Sequence, residues 1–138
     1  MLTQNFKSAA DLGLTDQEHS ALITTLGMME RGEIKFFDVS KCEDIGHGTE
    51  FTGLFNLGEW AEKYTCGTVA CIGGTAELVG KLPRNSINDK CDILSDLDDL
   101  CYPAFTGAIY NSTTVEQAAK ALRSYLTTGK ANWAEALA

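Results

Sequence analysis

A chain of 138 residues with 44% apolar and 22% charged side chains has the size and composition of one globular domain. Such a chain buries roughly two-thirds of its unfolded surface without staples. Its formal net charge of −8 repels phosphate backbones and anionic headgroups, so nucleic acid and membrane surfaces are disfavoured as partners.

The amino end, MLTQNFKSAADLG, has no basic region followed by an apolar run, and no stretch is apolar enough to cross a bilayer. Both features point to the cytoplasm. There, five cysteines are expected as free thiols, and their odd number argues against a complete disulfide framework. Residues 1–13 are read as a candidate flexible lead into the single domain, 1–138. Thr15 followed by Glu18 is a capping box, and Leu22, Ile23, Leu26 and Met29 keep helical spacing up to the terminator Gly32. His19 shares that stripe and is expected at the core boundary rather than as a ligand.

Residues 33–53 form the irregular part. EIKFFDV is compatible with a short strand or a further helical turn, and SKCEDIGHGTEFTG reads as a long loop of the kind that is often functional or mobile. In FNLGEWAEKY the spacing of Asn56 and Glu59 predicts a short helix carrying Trp60. The run CGTVACIGGTAELVG then reads as a buried central helix over about 68–79, apolar on nearly every side. Its adjacent Gly73 and Gly74 are expected to serve close packing. Beyond the polar LPRNSINDK, Ser95 with Asp98 predicts a short helix through Leu97, Leu100 and Cys101, stopped by Pro103. Thr114 with Gln117 opens a last long helix ending at Gly129, followed by a turn from Asn132 that carries Trp133 and Leu137. The fold class expected is mainly α: a single compact helical domain.

Chemistry enters through Cys66. At a helix start its thiolate is favoured by the dipole and free N–H groups, and His47 from the glycine-rich loop is the candidate base. No third, orienting residue completes a catalytic set. Cys42, His47, Cys66 and Cys71 are the right types for zinc, but their spacing fails, and no metal or cofactor is expected. On one helix Cys66 and Cys71 diverge, so a disulfide between them is not expected. Asp89, Asp92, Asp96, Asp98 and Asp99 lack the glycine and glutamate of a calcium loop and read as a solvated helix start.

FNLGEW, CGTVACIGG, LCYPAF and TGKANW resemble a small uncharacterised family associated with proteobacteria and their phages, over residues 54–80 and 100–137. The resemblance implies a compact helical domain and no particular activity. Thr75 departs from it, standing where a large aromatic residue is expected. The function expected is a small acidic binding or accessory module acting through protein contacts, with a protein partner or as a homo-oligomer. Phe55, Trp60, Tyr102, Phe105 and Trp133 are the candidate contact aromatics, although core packing is the expected use of most of them. The alternative is a thiol-dependent enzyme or redox-sensitive protein using Cys66 with His47.

Overall fold

Helices begin where the local side chains can satisfy their free N–H groups. The computed structural model describes residues 5–87, 90, 100 and 112–137. Within the amino-terminal stretch, Ser8 caps a short helix, α1 (Ala9–Leu12), which Gly13 closes at φ 71°. Helix α2 (Asp16–Glu30) starts with the full capping box: Thr15 accepts from the Glu18 N–H and Glu18 from the Thr15 N–H. Its apolar stripe buries Leu22, Leu26 and Met29.

The expectation of a mainly α domain is overturned by a five-stranded mixed sheet, which makes this an α/β fold. Strands β1 (Lys35–Phe36), β2 (Asp44–His47), β3 (Leu54–Phe55), β4 (Trp60–Tyr64) and β5 (Gly67–Ala70) lie in the order β1-β3-β5-β4-β2. β1 and β3, and β3 and β5, are parallel; β4 runs antiparallel to both β5 and β2.

The predicted helix over 68–79 is two elements. Its first part is β5, the middle strand, and helix α3 begins only at Ile72 and runs to Val79. Thr68, Val69 and Ala70 are all buried, so β5 shows none of the in–out alternation that betrays a half-exposed strand. An apolar run buried on both sides carries no period of its own and merges with the helix after it. Cys71 marks the boundary: its backbone is extended and its Sγ accepts the Gly74 N–H.

The helix predicted at Trp60 is also a strand. Asn56 Oδ1 takes the Gly58 N–H at 2.9 Å, and its Nδ2 donates to the Phe37 carbonyl. The asparagine therefore closes a side-chain turn, which the same residue type favours as readily as a helix cap. Residues 33–53 contain β1, a 3-10 turn at Val39–Lys41 and β2, so part of the expected loop is edge strand.

The core lies where α3 rests on β4 and β5 while α2 packs against α3. Leu22, Leu26 and Ile72 are at most 1% exposed, each contributing roughly 1.5–3 kcal/mol of apolar burial. Gly74 allows the close approach: a Cβ there would stand 3.1 Å from the Ala61 nitrogen and 3.2 Å from the Trp60 carbonyl carbon. The partner met at that glycine is a strand backbone, not another helix. Helix α4 (Val115–Thr128) also has its capping box, Thr114 with Gln117, and ends at Gly129 with φ 86°. It packs on α2 and buries Leu122 and Leu126, while α5 (Trp133–Ala136) folds Trp133 inward. The helix predicted from Ser95 to Cys101 lies outside the described residues except for Leu100, which is buried.

Candidate functional site

The β2–β4 ladder determines which of the singled-out residues meet. Asp44 pairs with Tyr64, and one step further the Thr65 N–H donates to the Glu43 carbonyl at 2.9 Å. The next position on the same diagonal sets Cys42 opposite Cys66, and these two form a disulfide with Cα atoms 6.1 Å apart. That separation is within the ordinary range for a disulfide. Cys66 therefore sits in the two-residue turn between β4 and β5, exposed, rather than in the first turn of a helix. Its sulfur is bonded to Cys42, which corrects the expectation that both were free thiols. A thiolate exists at Cys66 only after reduction.

His47 does not stand beside it. It lies at the far end of β2, five residues along the chain from Cys42 and on the order of 15 Å away for an extended segment. Its Nδ1 is 3.3 Å from Glu62 Oε1, and the other Glu62 oxygen accepts from Arg84 Nη2 at 2.9 Å. Arg84 Nη1 also donates to the Ala61 carbonyl, which accepts the Gly48 N–H as well. Ala61 is displaced at a register shift between Trp60 and Glu62 and has φ 72°. The bulge turns one carbonyl toward both β2 and Arg84.

Glu62, Arg84 and Ala61 were not singled out from sequence, since they come from separate segments joined only by folding. Tyr64 was missed as well. Its hydroxyl donates to Glu59 Oε1 at 3.0 Å, and burial, with that bond and the Glu59 charge, pushes its pKa up to about 12. Burial raises Glu59 too, against the lowering effect of the Tyr64 bond.

Cys71 lies outside the disulfide, buried at the start of α3. Among the described residues no three His, Cys, Asp or Glu side chains converge as metal ligands. The five aspartates from Asp89 to Asp99 lie outside the described residues. His19 is half-buried at the core boundary, its Nε2 2.9 Å from the Lys7 carbonyl oxygen. Of the candidate contact aromatics, Phe55 and Trp133 are core, Trp60 is half-buried with its Nε1 on Glu77, and Tyr102 and Phe105 lie outside the described residues.

The large exposed apolar residues are instead Phe36, 42% exposed, and Ile45, 55% exposed. They stand on β1 and β2, the two ends of the sheet order. Among the described residues no helix is long and apolar enough to cross a membrane. No family model, no curated protein and no solved structure matches the chain.

Proposed function

We propose that this chain is a small acidic binding module that acts through protein contacts along β2. The observation that carries the reading is Ile45, more than half exposed on a strand whose four residues are all exposed. No strand among the described residues pairs with the outer edge of β2. Glu43 and Asp44 precede Ile45 and Glu50 follows the strand, against Lys41 and Lys63 nearby. The occupant that fits is an extended segment of a partner carrying basic residues beside an aliphatic one. CGTVACIGG and the other segments that carry the resemblance would make the chain a member of that small uncharacterised family, which adds no activity to the reading.

The test is a selection of displayed extended peptides against the purified protein. Enrichment of basic, aliphatic peptides whose affinity falls about tenfold on Ile45→Asp, with Phe36→Asp as a silent control, supports the reading. Peptides that bind equally well to the Ile45→Asp protein sink it.

A second reading is favoured by the bridge. The proposed compartment is the cytoplasm, where an exposed disulfide is open to reduction by dithiol proteins. Two electrons and two protons from a dithiol convert Cys42–Cys66 to two thiols and leave the reductant as its own disulfide. β2 then loses its one covalent tie to the rest of the sheet and is held by its bulged ladder to β4 and the His47–Glu62 bond, so its order, and the contact edge with it, follows redox conditions.

A further inference from the structure

Behind the bulge at Ala61 lies a cleft of about 260 Å³, with Leu78 and Leu82 on one side and Thr49, Lys81 and Arg84 supplying its polar lining. That volume is just below the roughly 300 Å³ at which small-molecule pockets begin, so it suits a metabolite-sized ligand. We propose that the cleft binds a small amphipathic carboxylate, its anion on Lys81 and Thr49 and its short aliphatic body against Leu78 and Leu82.

The charge arrangement selects the anion. Glu77 also lines the cleft, but its residue is 3% exposed, and its carboxylate accepts from Trp60 Nε1, the Asn85 N–H and the Ile87 N–H. Arg84 is held on Glu62 and the Ala61 carbonyl. Among the described residues the Lys81 ammonium has no ion-pair or hydrogen-bond partner, and neither has the Thr49 hydroxyl. With Arg84 and Glu77 of the lining already bonded, one ammonium and one hydroxyl remain to receive a monoanion. A dianion such as phosphate would bring a second negative charge beside Glu77 with no further unpaired cation in the lining to meet it.

Lys81 stands where its backbone disfavours it. The Leu82 N–H bonds the Glu77 carbonyl and the Lys81 N–H bonds the Leu78 carbonyl, which is the closing motif that ordinarily takes glycine in the left-handed position. Lys81 occupies that position at φ 55°, directly after Gly80. Ala61, on the cleft wall, is also left-handed, so two of the four such non-glycine residues described line this one cleft, and a third, Asn85, is bonded to its Glu77. Backbone of this kind gathers at sites where a side chain must be held in place.

The experiment is a backbone NMR titration of the full chain with hexanoate, hexanamide and inorganic phosphate. The expected result is saturable hexanoate binding with shifts at Thr49, Lys81 and Leu82, and hexanamide weaker by about tenfold, the loss of one charge-assisted bond. Phosphate produces no saturable shifts. Lys81→Gln weakens hexanoate by about the same factor, and Lys35→Gln leaves it unchanged. Lys81→Gly, which relieves the left-handed backbone, melts higher than the parent yet loses hexanoate affinity. Binding that does not saturate, shifts elsewhere, equal affinity for hexanamide, tighter binding of phosphate, or a Lys81→Gly protein that binds like the parent would each overturn the proposal.

Discussion

Replacing Cys42 and Cys66 together by serine removes the one covalent link across this sheet that the described residues contain. The bridge closes a loop with a sequence separation of 24, and the chain-entropy relation for a loop of that length gives about 3.5 kcal/mol at 25 °C. The loop spans β2, β3 and β4, three of the five strands, so opening it loosens the unfolded chain over much of the sheet. Little native packing is lost in return, because Cys66 is exposed and all of β2 is exposed. The effect should therefore act on the unfolded state and approach the full entropic figure. Urea unfolding of the double variant under non-reducing conditions should show a lower midpoint with a somewhat steeper slope, because the unlinked unfolded chain exposes more surface, and its melting temperature should fall on the order of 10 °C. Alkylation of the denatured, unreduced parent should leave Cys42 and Cys66 unlabelled. Stability within about 0.5 kcal/mol of the parent, or quantitative labelling of both cysteines, would refute the reasoning.

Three further outcomes follow from buried polar groups and close contacts. Tyr64, whose pKa is raised from 10.0 to about 12, favours the fold in its neutral form. That stability is fully present below pH 10 and is lost as pH rises toward 12, so the advantage of the parent over Tyr64→Phe should shrink across that window. An advantage constant from about pH 9 to 11.5 contradicts this. Glu77→Ala leaves Trp60 Nε1 and the N–H groups of Asn85 and Ile87 without their carboxylate, and should cost about 3–5 kcal/mol in urea unfolding. A cost below about 1 kcal/mol would mean that water replaces the carboxylate easily. Gly74→Leu places side-chain atoms against backbone that a Cβ alone would already approach to 3.1 Å, so the melt should show a loss of about 1–3 kcal/mol or more. A melt like the parent's would show that α3 can move off β4.

The parts of the fold legible in the sequence are those fixed within one turn of chain. Thr15 with Glu18 and Thr114 with Gln117 start α2 and α4 where they stand, because a capping box needs only residues three apart. The sheet was illegible for distinct reasons. β5 is buried on both faces and merges with α3, while β2 is exposed on both and shows no apolar face at all. β1 and β3 are two residues each, defined only by the register Lys35–Leu54 and Phe36–Phe55 across the chain. Asn56 and Glu59 have the spacing of a cap and build a turn, since the asparagine side chain serves either use. The bridge was hidden for the same kind of reason. Cys42 and Cys66 meet because Asp44 pairs with Tyr64, a contact between segments that no cysteine spacing encodes.

Glu62 connects the two proposed surfaces. One of its oxygens holds His47 on β2, and the other holds Arg84, which lines the cleft and supports the bulged Ala61 carbonyl. The pairs are partly exposed, with side-chain exposure of 21% at Glu62 and 69% at His47, so each is worth less than about 1 kcal/mol to stability. Their consequence is positional. Glu62→Gln should barely change the melting temperature, yet it frees Arg84 from its only carboxylate among the described residues. An extra cation at the cleft should then admit phosphate, which the parent is expected to exclude, and His47 should lose its carboxylate partner. A Glu62→Gln protein that still rejects phosphate would show that the Glu77 carboxylate, rather than the Glu62–Arg84 pair, sets the charge of the cleft.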